Sequence, residues 1–517
     1  MQYAEKSSDT AVDLQTKLSA AQLEIVDLIK RHRQQLDKQK SYIGQLEEFI
    51  RNLRQKQFGA SSEAQDTLQS SLFDESEGER ADAAEEAADT VTIAAHQRQP
   101  RKPERIPAEL PREEIVHDLA EADKVCPHDG SALRLIGTET SEQLDIIPAQ
   151  IKVLRHVRRK YACPCCKQYV ITAQKPKQPI EKSMAAPGLL AHIATQKYVD
   201  ALPLYRQTEI YTRIGVELDR TTLANWMVAC GKLVQPLINL IQGHMTEQAV
   251  LHMDETRVQV LNEPGRSAQQ QSYMWVMRSI EHPAVLFRYA PSRSGDVAKQ
   301  LLGDYRGALM VDGYEGYSAV CAAQQLTRLG CWAHARRKFV EAQKAQAKHK
   351  TGKADQALAF IQSLYRIEQL AKETSPEARH TIRHTQAQPI IDKIRQWMEK
   401  SIPNTPPQTL LGKALSYLRN QWPHLIRYLE DGQYPIDNNA AENAIRPFVV
   451  GRKNWLFSAS QSGATASANL YSLIETAKAN GIEPYAYLRR VFTDLPNAQS
   501  VEQIEALLPW NVKGGVG

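Results

Sequence analysis

Four short apolar segments between residues 250 and 320 constrain the fold of this chain more than any other feature. LHMDETRVQVL, QSYMWVMRSI and AVLFRYA are three successive runs rich in aromatic and β-branched residues, and ALMVDGYEGYSAV is a fourth that follows a helical stretch. Runs of this length and composition predict β-strands. The predicted order is three strands, a helix and a fourth strand, which indicates an α/β core.

Acidic residues interrupt this predicted core at two positions. Asp254 lies inside the first strand, and Asp312 directly follows the fourth. A charge within an apolar strand is costly unless it is paired or binds a metal ion, whereas an aspartate at a strand end is more often a turn residue. Glu255 points to the opposite face of the strand and is the alternative to Asp254. Acids at these positions are typical of an RNase H-like core.

A third candidate acid lies in the segment IDNNAAENAIRPFVVGRKNWLFS. Asn438, Glu442 and Arg446 are four residues apart, which sets them on one face of a helix, and Pro447 is predicted to end that helix. An N-cap at Asp437 or Asn438 with an ordinary Glu–Arg pair is the structural alternative. Carboxylates that converge from different elements are the ligands that two Mg²⁺ ions require for phosphodiester chemistry.

Basic residues cluster beside these acids. Arg446, Arg452 and Lys453 follow the third acid, and CWAHARRKFVEA carries His334 and Lys338 on one helical face with two arginines next to them. Such side chains hold DNA phosphates. The alternative is a basic helix face that is exposed to solvent and binds nothing. The candidate DNA-binding residues are Arg336, Arg337, Lys338, Arg446, Arg452 and Lys453.

The first hundred residues contain two contrasting segments. A heptad repeat runs from Leu18 to Leu53, with Ile29, Leu36 and Ile43 along one seam. Such a seam predicts a coiled coil that makes at least a dimer, and a long helix that packs on its own chain is the alternative. The acidic, Ala- and Ser-rich stretch that follows, with the basic RQPRKPER, predicts a disordered linker.

Seven cysteines, an odd number, predict a reducing compartment without a disulfide framework. Cys163 and Cys166 form a C-x-x-C pair, and Cys126 precedes Asp129 at the same spacing, between strand-like runs such as QIKVLRHVRRKYA. Three thiolates with Asp129 or His128 predict one zinc ion in a small ribbon. A metal-free relic of such a site is the alternative.

Length and composition allow several modules. The 517 residues exceed what a single core usually contains, and 42% hydrophobic with 24% charged residues is a globular composition. The net charge of +5 does not by itself favour nucleic acid. LPLYRQTEIYTRIGVELDRTTLANWM predicts a helix-turn-helix whose second helix is capped by Asp219 or Thr221. No apolar stretch is long enough to span a bilayer.

The chain resembles the transposases of the insertion-sequence-66 family of bacterial mobile elements along essentially its whole length. The stretches that carry the resemblance are RQKQFGASSE, SEQLDIIPAQIKVLRHVRRKYACPCC, PGLLAHIATQKYVDALPLYRQTEIYTRIGVELDRTTLANW, HMDET, VDGYEGY, CWAHARRKF, DNNAAENAIRPFVVGRKNWLFS and YSLIETAKANGIEPYAYL. The resemblance implies an RNase H-like DDE core that binds Mg²⁺ or Mn²⁺ and joins 3′-OH ends to target DNA. Its catalytic and metal-binding acids fall on Asp254, Asp312 and Glu442, and its zinc ligands on Cys126, Asp129, Cys163 and Cys166.

We therefore expect a multidomain protein with an α/β catalytic core of RNase H-like fold. The expected modules are a coiled coil (1–57), a disordered linker (58–112), a zinc-ribbon-like domain (113–178), a helical DNA-binding region (179–246), the first part of the core (247–340), a helical insertion (341–432), the final part of the core (433–495) and a C-terminal element (496–517).

The expected partners are the terminal repeats of the element, target DNA, further copies of the chain and accessory proteins of the same element, without a membrane. The expected location is the bacterial cytoplasm, in association with the nucleoid. Two alternatives remain at this stage: a non-catalytic dimeric DNA-binding repressor, and an RNase H-like nuclease that cuts without joining.

Overall fold

A computed structural model of the chain describes most of the sequence from residue 170 onward and selected parts before it. The described residues are 25–39, 43, 50, 112–118, 124, 128, separate positions within 131–144, and 150–162, 170–345 and 352–512. The chain folds as two compact units, Ala81–Ala173 and a larger unit made of Met1–Arg80 and Gln174–Gly517.

The smaller unit contains one described hairpin. Strand β1, Lys160–Ala162, pairs antiparallel with β2, Val170–Thr172, so that Tyr161 lies opposite Ile171. Residues 150–159 are exposed and have no regular secondary structure. The strand predicted along QIKVLRHVRRKYA is therefore wrong except for its last three residues, because an extended segment that pairs with no described strand gains no ladder of hydrogen bonds there.

Residues 25–39 of the larger unit form a helix with an exposed apolar seam. Ile25, Ile29 and Leu36 are 58%, 59% and 42% exposed, so no described part of the chain covers them. Asp27 and Arg31 form an ion pair one turn apart on the same helix. The seam is open to a partner, and the coiled coil stays a prediction. The predicted linker, 58–112, lies outside the described residues except at its last position.

Four helices between residues 187 and 246 lead into the central sheet. They are α1 (Pro187–Tyr198), α2 (Leu204–Arg213), α3 (Arg220–Leu233) and α4 (Gln235–Thr246). Gly215, in the turn between α2 and α3, has a φ of +82°, a conformation that glycine adopts without strain. The Asp219 carboxylate accepts a 2.8 Å hydrogen bond from the Thr222 backbone N–H. This confirms Asp219 as the N-cap of the second helix in the predicted helix-turn-helix.

The central sheet contains six strands. They are β3 (Val250–Asn262), β4 (Gln271–Ser279), β5 (Ala284–Ala290), β6 (Ala308–Val311), β7 (Thr327–Gly330) and β8 (Phe457–Ser460). Their order is β5-β4-β3-β6-β7, and β8 pairs with the far end of β3. The pairs β3–β4 and β4–β5 are antiparallel, whereas β6, β7 and β8 run parallel to β3. The four predicted strands are confirmed.

Helices link and cover this sheet. They are α5 (Gly295–Leu302), α6 (Glu315–Gln324), α7 (Trp332–Lys344), α12 (Asn439–Trp455), α13 (Gln461–Ala479), α14 (Pro484–Asp494) and α15 (Val501–Glu505). Helix α13 is buried along most of its length. Its Ser472 and Thr476 hydroxyls accept hydrogen bonds from the backbone N–H groups of Phe287 and Val285 on β5, at 2.7 and 3.0 Å. These bonds cap the sheet edge that would otherwise be open.

A helical insertion separates α7 from α12. It contains α8 (Lys353–Leu370), α9 (Pro376–Ile382), a π-helical turn (Arg383–Ala387), α10 (Gln388–Ser401), α11 (Leu410–Leu425) and a 3₁₀ turn (Ile426–Leu429). These elements have an apolar core of their own, to which Trp332 and Phe339 of α7 contribute. None of the helices in the described part of the chain has both the length and the apolar character needed to cross a bilayer.

Helix α12 differs from its predicted length. It continues through Pro447 to Trp455, so the prediction that Pro447 ends the helix is wrong. A proline removes the hydrogen bond to the carbonyl four residues earlier, and its ring pushes against that carbonyl. That residue, Asn443, is exposed, so water can satisfy its carbonyl oxygen. The rest of the helix is held by the burial of Ala444, Ile445 and Phe448.

Candidate active site

Alternate residues of β3 face helix α12. His252 lies 3.0 Å from the side-chain oxygen of Asn438, which precedes α12, and Arg452 near the end of α12 donates a 3.1 Å hydrogen bond to Thr256 Oγ1. Because side chains along a strand alternate between faces, Asp254 lies on the same face, between the two contacts. Helix α12 therefore runs along the strand that carries the first candidate acid.

The pairing of β3 with β6 brings the second candidate acid beside the first. Val250 pairs with Ala308 and His252 with Met310 in parallel register. The same register, continued to the next residue on this face, sets Asp312 next to Asp254, and adjacent strands lie roughly 4.8 Å apart. The Tyr314 backbone N–H donates a 2.9 Å hydrogen bond to Asp312 Oδ1 and fixes that carboxylate at the end of β6.

Glu442 enters the same region from the first turn of α12. Arg337 of α7 donates a 2.9 Å hydrogen bond to Glu442 Oε2, and His334 Nδ1 lies 3.4 Å from Oε1. The Glu442 side chain is only 20% exposed. Helix α7, which follows β7, thus holds the third carboxylate in place through Arg337.

The electrostatics of Asp254 reflect this crowding. Burial, followed by the neighbouring carboxylates of Glu255, Glu442 and Asp312, raises the pKa of Asp254 from 3.8 to about 8. Among the described residues, its carboxylate accepts one hydrogen bond, 2.8 Å from the Glu255 backbone N–H, and forms no ion pair. A carboxylate in this state lacks a counter-charge, and a bound cation would supply one.

Glu255 lies on the other face of β3 and has protein partners. Arg293 and the Tyr317 hydroxyl both hydrogen-bond to its carboxylate. Burial raises the pKa of Glu255, while these two partners act against that rise. Arg293 also lies 4.0 Å from the Asp312 carboxylate and stacks over the Tyr314 ring at 3.8 Å. Glu255 is therefore a paired acid, unlike Asp254.

Asn438 is a residue whose role the sequence did not reveal. Its side-chain NH₂ group donates a 2.8 Å hydrogen bond to the Met253 carbonyl, so its oxygen faces His252 and accepts from Nδ1–H. Burial lowers the pKa of His252 to about 4, which keeps the ring neutral. Asn438 thereby fastens the start of α12 to β3. Asp437, predicted as an alternative cap, accepts a 3.0 Å hydrogen bond from the Asn439 backbone N–H.

The predicted DNA-binding residues lie on α7 and α12. Arg337 and Arg452 make the contacts described above, with Glu442 and Thr256. The others lie on the same two helices: Arg336, Lys338 and Arg446 are partly buried, and Lys453 is exposed. Both helices also supply residues that surround the three acids. The structure thus sets Asp312 and Glu442 near enough to Asp254 to raise its pKa, while Arg337 contacts Glu442 and Arg452 contacts Thr256.

The predicted zinc ligands belong to a separate segment of the chain. Cys126, Asp129, Cys163 and Cys166 lie outside the described residues, and His128, the alternative ligand, is exposed. Cys230, Cys321 and Cys331 are buried free thiols.

Comparison with protein-family models assigns the chain to a family. Residues 182–466, which include all three acids, match the model described as "Transposase IS66 family". Because this match covers more than half of the 517 residues, the chain belongs to the IS66 family of transposases. Residues 472–510 match the IS66 C-terminal element. Residues 123–167 match the zinc-finger binding domain of transposase IS66, and residues 45–115 match a model described as "Transposase C of IS166 homeodomain".

Related proteins occur in Sinorhizobium fredii. The protein y4jD, described as uncharacterized, is 32% identical over 422 residues, which cover 79% of this chain and 81% of the relative. The uncharacterized protein y4qI is 32% identical over 435 residues, with 80% of this chain and 79% of the relative covered. No solved structure matches the chain significantly.

Proposed function

We propose that this protein is a DDE-type transposase that binds the ends of an insertion sequence, cleaves DNA and joins 3′-OH ends to target DNA. One observation carries the proposal. Asp254 has no counter-ion among the described residues, its pKa is raised to about 8, and it lies in register beside Asp312 with Glu442 close enough to contribute to that rise. Such a cluster of acids destabilises the fold by itself, which favours a functional role.

The sheet supports an RNase H-like core. A long first strand pairs antiparallel with the second, the second with the third, and the fourth and fifth strands run parallel to the first on its other side. This is the strand order expected for that fold, with the acids on the first strand and directly after the fourth. The helical insertion before Glu442 agrees with the long separation of the third acid in sequence.

The acids fit divalent metal ions of the hard class. All three are oxygen ligands, which Mg²⁺ and Mn²⁺ prefer, and burial with the neighbouring carboxylates raises the pKa of Asp254, so a cation would be favourable there. Asp254, Asp312 and Glu442 would hold the ions. When bound, two such ions activate the attacking oxygen and stabilise the leaving oxygen of a phosphodiester.

Other side chains of the site have supporting roles in this proposal. Arg337 orients Glu442 through its 2.9 Å hydrogen bond, and Arg293 neutralises Glu255 at the edge of the site. Arg336, Lys338, Arg446, Arg452 and Lys453 would contact DNA phosphates.

The N-terminal half would supply a zinc ion and an oligomerisation helix. Cys126, Cys163 and Cys166 with Asp129 or His128 would bind one structural zinc ion, which the zinc-finger match of residues 123–167 supports. The heptad seam would join at least two copies of the chain. We place the protein in the bacterial cytoplasm, on nucleoid DNA, with accessory proteins of the same element as further partners.

The test is an incubation of the full chain with labelled element ends, target DNA and Mg²⁺. We expect cleavage and joining by the natural chain and neither product from Asp254→Ala, Asp312→Ala or Glu442→Ala. Asp304→Ala, which changes an exposed acid outside the site, is the matched control and should react normally. All variants should still bind the ends, because affinity comes mainly from phosphate contacts.

The outcomes also separate the alternatives. Cleavage without joining by the natural chain would identify a nuclease of the same core. Binding that needs no Mg²⁺, with no cleavage under any condition, would identify a DNA-binding repressor. Full activity in Asp254→Ala would refute the assignment of the metal-binding acids.

A further inference from the structure

A second cluster of metal-binding side chains lies next to the three acids and shares one of them. Cys331 directly precedes α7, His334 lies in the first turn of α7, and Glu442 projects from α12. One ligand atom from each residue lies within 4.8 Å of the others. Sulfur and imidazole nitrogen are poor ligands for Mg²⁺ and good ligands for zinc-class ions.

Two atoms of this cluster face each other without a hydrogen bond. His334 Nδ1 and Glu442 Oε1 are 3.4 Å apart, both are buried, and neither has a hydrogen-bond partner in the described part of the chain. Buried polar atoms are rarely left unpaired, and an ion between them is one reason for an exception. The Glu442 oxygen that faces His334 is also not the one that Arg337 binds.

The spacing of these atoms suits a tetrahedral ion. With bonds of about 2.05 Å to nitrogen and about 2.1 Å to oxygen, two ligands of a tetrahedral zinc ion lie roughly 3.4 Å apart. His334 Nδ1 and Glu442 Oε1 already have this separation. The Cys331 sulfur has to lie about 3.6 Å from each of them, which the 4.8 Å limit of the cluster permits with a small movement.

We propose that Cys331, His334 and Glu442 bind a zinc-class divalent cation at a site distinct from the predicted zinc ribbon. The ion would displace the thiol proton of Cys331 to solvent and bind the thiolate, leaving a fourth position for water. The Asn438 backbone N–H, 3.2 Å from the Cys331 sulfur, donates to that sulfur, and Arg337 fixes the other oxygen of Glu442. Contacts of this kind orient metal ligands.

The shared ligand gives the site a consequence for activity. This consequence rests on the proposed function, in which Glu442 is one of the three catalytic acids. A zinc-class ion held by Cys331 and His334 would draw Glu442 away from Asp254 and Asp312. Occupancy of the zinc site would therefore oppose Mg²⁺-dependent cleavage.

Zinc content measures the site without reference to activity. The full chain is reduced, saturated with zinc, freed of loose metal by gel filtration and analysed by atomic emission. We expect Cys331→Ala and His334→Gln each to hold about one zinc ion fewer per chain than the natural protein. Cys321→Ala removes another buried thiol and should match the natural protein. Equal zinc content in all four proteins would overturn the proposal.

Cobalt provides a second measurement if a variant is unstable. Cobalt bound by Cys331 should add thiolate charge-transfer absorption that His334→Gln weakens and Cys321→Ala preserves, and circular dichroism establishes that each variant is folded. Unchanged absorption in folded His334→Gln would also refute the site. Because neither measurement uses cleavage, loss of zinc from the variants supports the site even where the acid-to-alanine variants refute the proposed transposase mechanism.

Discussion

Replacing Asp254 by Asn removes one negative charge from the candidate active site and keeps the size of the side chain. The amide oxygen of the new side chain can still accept the hydrogen bond from the Glu255 backbone N–H. In the natural protein, the pKa of Asp254 is about 8 in the folded chain against the ordinary 3.8. The folded state therefore holds a proton between about pH 4 and pH 8 that the unfolded state has lost, and stability falls as the pH rises through this window.

The size of the effect follows from the shift. At 1.36 kcal/mol for each pKa unit, a rise from 3.8 to about 8 gives a ceiling of roughly 6 kcal/mol above pH 8. Glu255, Glu442 and Asp312 contribute to the rise and respond when the charge is removed, so we expect about 2 to 4 kcal/mol. Asp254→Asn should thus be more stable than the natural chain at high pH and similar to it near pH 4.

Scanning calorimetry of the full chain without divalent ions, at pH 5 and pH 8.5, measures this difference. We expect Asp254→Asn to unfold several degrees higher than the natural chain at pH 8.5, with a smaller gap at pH 5. Asp304→Asn, the exposed control, should show no gap at either pH. Added Mg²⁺ should raise the unfolding temperature of the natural chain more than that of Asp254→Asn, because only the former has the full set of ligands. Equal stability of Asp254→Asn and the natural chain at pH 8.5 would show that the buried charge of Asp254 does not destabilise the folded state.

Four further changes test other contacts of the fold and the assembly of the chain. Arg383→Met leaves the buried Glu368 carboxylate without its partner, and urea unfolding should report a loss of about 3 to 5 kcal/mol; a neutral result would mean that Arg383 carries no structural role. Asp219→Ala removes the N-cap bond to α3 and should lower stability by about 1 kcal/mol, while no change would show that the cap is dispensable. Asn438→Ala leaves the Met253 carbonyl unpaired and should cost about 2 kcal/mol in thermal unfolding and slow cleavage more than DNA binding. Deletion of residues 1–57 should reduce the mass found by light scattering, and an unchanged oligomer would point to assembly through another surface.

The strands of the core were predictable because their composition agrees with their final environment. The apolar runs that predict β3, β4 and β5 are buried on both sides for much of their length, so hydrophobicity and β-propensity favour the same structure. The run at 150–159 also contains β-branched residues, but it pairs with none of the described strands, and it is irregular. Composition indicates what a segment can form, whereas pairing decides whether it forms.

The acids of the site were predictable for a different reason. Asp254 is conspicuous as a charge inside an apolar strand, and Asp312 follows a neighbouring strand. Their proximity follows from the parallel register of β3 and β6, which no local pattern encodes. Arg293, which pairs with Glu255, was missed because nothing in its own segment distinguishes it from a solvent-exposed arginine.

Cys331 and His334 carried a signal that was available in the sequence. They form the sequence C-x-x-H within CWAHARRKF, and cysteine and histidine are both zinc ligands. A single cysteine beside a histidine on a basic helix does not by itself indicate a metal site, and the third ligand, Glu442, is distant in sequence. The three come together only when α7 and α12 pack side by side.

The contact between the starts of α7 and α12 also explains how a long insertion can separate Asp312 from Glu442 without disturbing the site. The Trp332 backbone N–H donates a 3.1 Å hydrogen bond to the Ile436 carbonyl, and the Asn438 N–H donates to the Cys331 sulfur. The chain therefore returns to the sheet beside the point from which α7 leaves it. The insertion folds around its own apolar core, and the hydrogen bonds just described fix its two ends. The length of the insertion therefore has little influence on where those ends lie. Glu442 follows this junction within one helical turn, and its position is set by the sheet and α7 rather than by the intervening helices.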